Sequence, residues 1–177
     1  MKRILTIIIL LACAVSMSAQ DNTEIPAYRN KGYAGNVSIS NQLIFIYGFG
    51  TSHGYMFNEH HYLGGGVGFY ATTLGNHDKP VEEQKSIYMS FLAFAEYKSY
   101  WLKKRSTPTA GLKVGYGAYP LVRAFEVEPY IGWDWGLKNG KGISVALGAT
   151  LFPSEIDSYK DLFSPSTLLK LSVGFNF

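Results

Sequence analysis

The stretch FEVEPYIGWDWGLKNGKGISVALGATLF, residues 125–152, decides the fold class because apolar side chains alternate with polar or small ones. One face of its first half carries Phe125, Val127, Ile131, Trp133 and Trp135, and the other carries Glu126, Glu128, Tyr130 and Asp134. A period of two residues indicates β-strands, and the Asn139–Gly140 pair is a hairpin-turn signal. The stretch therefore predicts a β-hairpin with strands at 125–137 and 143–152.

Six further runs of the chain show the same alternation. They cover residues 32–40, 43–57, 61–72, 86–97, 109–119 and 167–177. We find no amphipathic helix, and runs of about 9–11 residues are long enough to cross a membrane as tilted strands. Eight is an even number of strands, so an antiparallel sheet of eight strands can close into a barrel. The pattern predicts an all-β fold, an eight-stranded antiparallel up-and-down transmembrane β-barrel over residues 32–177.

The composition decides which face of these strands meets lipid. The chain has 19 Gly, 13 Tyr and 11 Phe. The polar faces are rich in glycine and poor in Lys and Glu, which suits the inside of a narrow barrel better than a wet surface. Aromatic residues gather near strand ends, and the connections at 74–85 and 153–166 are long, as in bacterial outer-membrane barrels. A soluble secreted binding barrel remains as an alternative.

The first residues have the layout of a secretory signal peptide. Lys2 and Arg3 precede an apolar run that is too short to span a bilayer, and small residues follow it. We expect a signal peptide at 1–19 with cleavage after Ala19, although lipidation at Cys13 is an alternative. Residues 20–31 are polar, and we interpret them as a short mobile periplasmic lead-in.

The charge of the chain excludes one class of partner. Its formal net charge is +3, and the loss of Lys2 and Arg3 with the signal peptide would reduce this to +1. That balance argues against nucleic acid as a partner. Cys13 is the only cysteine, so a cleaved chain could form no disulfide.

Charged residues on the predicted inner faces are the best candidate site. They are Glu96, Lys113, Glu126, Glu128, Asp134 and Lys170. Buried charges are costly unless they are paired, so we expect an internal network of ion pairs that fills the barrel. The alternative is a carboxylate cluster that handles a proton or a substrate, with Arg123 as a further partner.

Histidines and loop acids offer weaker candidates for chemistry. His60 and His61 are adjacent, so on a strand they point to opposite faces, and His53 shares the face of Tyr55. His77, Asp78 and Ser86 are the residue types that a lipid-modifying enzyme of the acyltransferase or deacylase type would need. The polar loop that holds His77 and Asp78, upstream of Ser86, has no regular ligand spacing for calcium. We therefore predict no metal, no cofactor and no catalytic residue.

The segment TSHGYMFNEHHYLGGGVGF, residues 51–69, resembles the small outer-membrane β-barrel proteins of Bacteroidetes, a barrel of the OmpA/OmpX-like type. The resemblance implies an eight-stranded barrel in the outer membrane, but no shared reaction. The final strand also resembles an outer-membrane assembly signal at Lys170, Phe175 and Phe177, with Ser172 where glycine is usual. We expect outer-membrane lipid and the assembly machinery as partners, a structural or surface-interaction role, and an extracellular partner that the sequence does not identify.

Overall fold

A computed structural model describes residues 25–42, 46–75, 85–118, 123–137, 139–152 and 167–177. These residues form one 3₁₀ turn, Ala27–Arg29, and eight strands: β1 (Gly32–Gln42), β2 (Ile46–Asn58), β3 (His61–Gly75), β4 (Lys85–Tyr100), β5 (Ser106–Ala118), β6 (Arg123–Gly136), β7 (Gly142–Leu151) and β8 (Thr167–Asn176). Each strand pairs antiparallel with the next, and β8 pairs with β1, so the sheet closes. The predicted eight-stranded antiparallel barrel is confirmed.

Several strands are longer than the alternation predicts. Asn41 and Gln42, which we expected in a loop, belong to β1 and pair with Tyr47 and Ile46. Tyr100 lies at the end of β4, where it pairs with Thr109. Each added pair satisfies backbone groups that would otherwise lack partners at the barrel ends.

The barrel is more polar inside than outside. Among the residues whose side chains are described, nine hydrophobic and fourteen polar or charged residues are buried. Twenty-four large hydrophobic or aromatic residues are exposed, in all eight strands and the adjoining turns. The residues that face the interior are mainly those that we placed on the polar faces of the strands. The structure therefore agrees with the predicted inward and outward faces.

Inward glycines make room for aromatic rings in this narrow interior. A Cβ at Gly111 would lie 2.3 Å from the ring of Tyr130, and one at Gly48 would lie 2.7 Å from the ring of Tyr70. These glycines therefore mark crowded positions, as the glycine-rich face predicted.

No helix in the described ranges has the length and apolar character needed to cross a membrane.

The two ends of the barrel differ. One end, which we call the base, holds residues 25–31, the turns at 59–60 and 101–105, residues 137 and 139–141, and Phe177. At the other end, the rim, the strands adjoin residues 43–45, 76–84, 119–122 and 153–166, which lie outside the described ranges.

Candidate functional site in the barrel lumen

All six charged residues that we predicted to face the lumen are on the inner side of the barrel. Glu96, Glu126, Glu128, Asp134 and Lys170 are buried, and the side chain of Lys113 is 15% exposed. They form two groups. One lies in the lumen at the middle of the barrel, and the other lies at the base.

Glu128 is the centre of the first group. Its Oε2 lies 2.6 Å from Nζ of Lys170 on β8, and its Oε1 lies 3.6 Å from Nζ of Lys113 on β5. Lys170 also donates a hydrogen bond of 2.9 Å to the hydroxyl of Tyr70 on β3. One carboxylate therefore connects two lysines that reach it from different strands, and a tyrosine extends the connection across the lumen.

Glu96 continues this group on the other side of Lys113. The strand register places Glu96 opposite Lys113 and Lys113 opposite Glu128. The hydroxyl of Tyr130 donates a hydrogen bond of 2.6 Å to Oε1 of Glu96, and Nζ of Lys113 lies 5.3 Å from the ring centroid of Tyr130. We call Glu96, Lys113, Glu128, Lys170, Tyr70 and Tyr130 the lumen network.

Lys98 and Glu126 are buried next to the lumen network. Lys98 follows Glu96 on the inner face of β4, and Glu126 precedes Glu128 on the inner face of β6. Two small cavities share Lys98 and Asn36 in their lining. One borders the network at Glu96, and the other lies toward the base, beside Tyr28. Charged and aromatic side chains therefore occupy the middle of the described interior.

Asp134 is the centre of the second group, at the base. Tyr28 donates a hydrogen bond from its hydroxyl to Oδ1 of Asp134, and Nδ2 of Asn176 donates one of 2.6 Å to Oδ2. Asn36 donates a hydrogen bond of 2.7 Å to Oδ1 of Asn176. Burial, and after it the charge of Asp134, raises the pKa of Tyr28 above its usual value, so Tyr28 remains a donor.

The base is closed by the segment that we expected to be a mobile lead-in. Residues 25–31, which we call the base plug, turn under the barrel so that Tyr28 and Arg29 are buried. Arg29 donates hydrogen bonds of 2.5 and 2.6 Å to the carbonyl oxygens of Lys104 and Leu102, and one of 3.4 Å to that of Glu59. Its guanidinium lies 4.8 Å from the ring centroid of Tyr100. Sequence reasoning missed this packing, because backbone carbonyls carry no sequence signal.

Three glycines at the base provide space for the plug. A Cβ at Gly136 would lie 2.0 Å from Cγ of Pro26, and one at Gly142 would lie 2.5 Å from the hydroxyl of Tyr28. Gly140 has φ +71°, and a Cβ there would lie 2.9 Å from Ala27. We interpreted the glycines of the turn at Asn139 as turn residues only, but Gly140 and Gly142, like Gly136, also leave room for the N-terminal segment.

The three histidines of the described ranges lie within hydrogen-bond distance of neighbouring residues. His53 lies on the outer wall, where its Nδ1 is 2.5 Å from the hydroxyl of Tyr33. His60 contacts the carbonyl oxygen of Tyr100, and His61 contacts the hydroxyl of Tyr97. Within the described ranges, no group of three or more His, Cys, Asp or Glu residues could hold a metal ion. His77 and Asp78 lie outside those ranges, and the side chain of Ser86 is not described.

The last strand is fixed to the first. Gly35 and Phe177 exchange two backbone hydrogen bonds, of 2.8 and 3.0 Å. Phe175 is 40% exposed on the outer wall, whereas Lys170 belongs to the lumen network. The reading of Lys170, Phe175 and Phe177 as an assembly signal stays a prediction.

No family model matches the chain, and no curated protein matches its sequence. Among solved structures, it is similar to the N-terminal β-barrel domain of OprF from Pseudomonas aeruginosa, with a TM-score of 0.52 and 12% identity over 84% of this chain and 98% of that one. It is also similar to the de novo designed protein TMB2.3, with a TM-score of 0.52 and 10% identity over 84% of this chain and 94% of that one. At such low identity these similarities show the fold alone.

Proposed function

We propose that this chain is an outer-membrane β-barrel protein of a Gram-negative bacterium, with a closed lumen and a structural or surface-interaction role. The observation that carries the proposal is the inverted distribution of polarity, with charges inside and large apolar side chains outside. Soluble monomers rarely expose apolar patches of more than a few hundred Å², whereas lipid-facing walls require them. This favours the membrane barrel over a soluble secreted barrel.

The filled interior supports a structural or interaction role rather than transport. Eight strands leave an interior just wide enough for side chains. Here the lumen network occupies the middle, and Tyr28 and Arg29 occupy the base. The carboxylate alternative loses support, because Glu128 lies between two lysines rather than beside an open pocket.

The lengths of the connections at the two ends support one orientation of the barrel in the membrane. We place the base in the periplasm, because its three turns have at most five residues, whereas the two longest connections between strands leave the rim. The connections at 76–84, shorter than the predicted 74–85, and at 153–166 would then face the exterior, where they would meet a partner that is still to be identified. The resemblance of residues 51–69 to Bacteroidetes barrels, the signal at 1–19 and the assembly signal fit this placement.

Cell fractionation with heat-modifiable gel migration tests the membrane location. The protein should remain in the outer-membrane fraction and migrate faster before boiling than after it, because a folded barrel resists detergent. A mature chain that is freely soluble in the periplasm or the medium would refute the proposal.

Two further measurements test the role. In planar bilayers the wild-type barrel should form no stable channels, and steady conductance steps would contradict a closed lumen. The lipid A mass spectrum should be the same with and without the protein. A modified species that disappears in a folded Glu128→Ala variant would favour the lipid-modifying enzyme instead.

A further inference from the structure

A group of charged side chains lies at the base of the barrel, outside the lumen. Among the side chains that the structure describes, the charged groups outside the lumen all lie at the base, five cations and one carboxylate: Lys31, Lys103, Lys104, Arg105, Lys141 and Glu59. They come from the last residue of the base plug, the β2–β3 turn, the β4–β5 turn and the β6–β7 turn. We call the five cations the basic collar.

The basic collar directly adjoins the apolar outer wall. Trp101 is 59% exposed and Leu102 is 43% exposed, and Lys103 follows them. Nζ of Lys141 lies 5.9 Å from the ring centroid of Phe175, which faces outward. Tryptophan rings at a barrel end sit at the level of lipid headgroups, and lysine stems extend along apolar surface to keep the amine in the polar layer. Lys103 and Lys141 are therefore placed at headgroup depth.

The carboxylate at the base does not neutralise the collar. Glu59 lies 3.7 Å from Nζ of Lys103, and both side chains are substantially exposed. Its own backbone hydrogen bond, and after it Lys103, lowers the pKa of Glu59, so it stays ionised. Among the described side chains at the base, one carboxylate therefore faces five cations, and positive charge is in excess.

We infer that the basic collar binds the phosphates of anionic phospholipids in the leaflet next to the base. The inference rests on the proposed membrane location. A lipid headgroup fits better than a soluble acidic macromolecule, because the cations border the lipid-facing wall instead of forming a separate patch. Each cation near an anionic surface contributes a favourable and salt-sensitive attraction.

Lipid selectivity in reconstituted bilayers tests the inference. The full mature chain is inserted into phosphatidylcholine bilayers, and spin-labelled phosphatidylglycerol is compared with spin-labelled phosphatidylcholine in the motionally restricted shell. We expect the wild type to prefer the anionic lipid by about threefold or more. The variant Lys103→Gln/Lys104→Gln/Lys141→Gln should lose this preference, Lys→Arg changes at the same positions should keep it, and 1 M salt should weaken it.

Several outcomes would overturn the inference. Equal association of both lipids with a wild-type barrel that is heat-modifiable would refute the collar while leaving the membrane location intact. An unchanged preference in the Gln variant would also refute it. Salt-sensitive binding of polyglutamate to the detergent-solubilised wild type, without any lipid preference, would assign the collar to an acidic macromolecule instead. Failure of the wild type to insert at all would refute the membrane location itself.

Discussion

The lumen network and the base plug fill two parts of the same interior, but they depend on the sheet in different ways. In the network, the pairing of β4, β5 and β6 places Glu96, Lys113 and Glu128 side by side. At the base, Tyr28 and Arg29 come from a segment outside the sheet and bind Asp134 and the carbonyl oxygens of turns. The network is therefore part of barrel closure, whereas the plug is added to a barrel that closes without it.

This difference sets the cost of losing a residue from either region. A network residue is surrounded by strands, so its removal leaves an unpaired charge where water has little access. A plug residue lies at an opening, so its removal admits water that can satisfy the groups left behind. Substitutions in the network should destabilise the fold, and substitutions in the plug should mainly release the segment.

Glu128→Gln should have the largest effect. It leaves Lys170 and Lys113 without their shared carboxylate in a buried site, and breaking a buried ion pair costs about 3–5 kcal/mol. Denaturant unfolding of the barrel in lipid vesicles measures this loss. Glu59→Gln is the matched control, since it removes the carboxylate of an exposed pair and should leave the unfolding midpoint unchanged. Equal midpoints for wild type and Glu128→Gln would show that the network does not stabilise the barrel.

Arg29→Ala should cost about 2–3 kcal/mol, because it removes charged hydrogen bonds to the β4–β5 turn but admits water there. A cysteine at buried position 26 reports the release of the plug, since the mature chain is expected to have no other cysteine. A water-soluble maleimide should label Pro26→Cys slowly in the wild-type background and quickly with Arg29→Ala. Lys31→Ala, at an exposed position, should leave the labelling slow. Fast labelling in both backgrounds would mean that the plug is not held in place.

Gly142→Ala tests the contact between the sheet and the base plug. It changes a residue of β7, but its cost should come from a clash with Tyr28 of the plug. The new Cβ would lie 2.5 Å from the hydroxyl of Tyr28, and overpacking of this kind costs about 1–3 kcal/mol. In a variant that lacks residues 20–30, Gly142→Ala should cost much less, since its clash partner is gone. Denaturant unfolding of the four chains measures this coupling. If the effects of the substitution and the deletion on the free energy of unfolding are additive, the cost of Gly142→Ala comes from the sheet and not from the plug.

The sequence predicted the network better than the plug for a physical reason. A period of two residues fixes which side chains of a strand face inward, so the inward positions of Glu128 and Lys170 followed from the alternation. The alternation does not give the relative heights of β6 and β8, which depend on the stagger of the closed barrel. The contact between Glu128 and Lys170 was therefore expected only in general terms.

The plug had no such period. Arg29 binds backbone carbonyl oxygens, which every residue carries, and its segment is polar in sequence. The remaining signal was the cluster of Gly136, Gly140 and Gly142, which the hairpin turn at Asn139 was sufficient to explain. The sequence signal of a short segment that packs onto turns is the set of small residues that it contacts. This signal can be interpreted only when the contacts are known.

Tyr28→Phe should have the smallest effect and tests whether the plug is joined to the charged interior. It removes one hydrogen bond to Asp134, worth about 1.5 kcal/mol for a charged acceptor, while Asn176 still donates to the same carboxylate. The pKa of Tyr28 is raised by burial and by Asp134, so this stabilisation is complete below the pKa of a free tyrosine, about 10. Above that pH the unfolded chain loses the proton first, and the stability difference between wild type and Tyr28→Phe should shrink. Unfolding at pH 8 and above pH 10 measures both values, with exposed Tyr47→Phe as the control. A difference near zero at pH 8 would mean that Arg29 alone holds the plug.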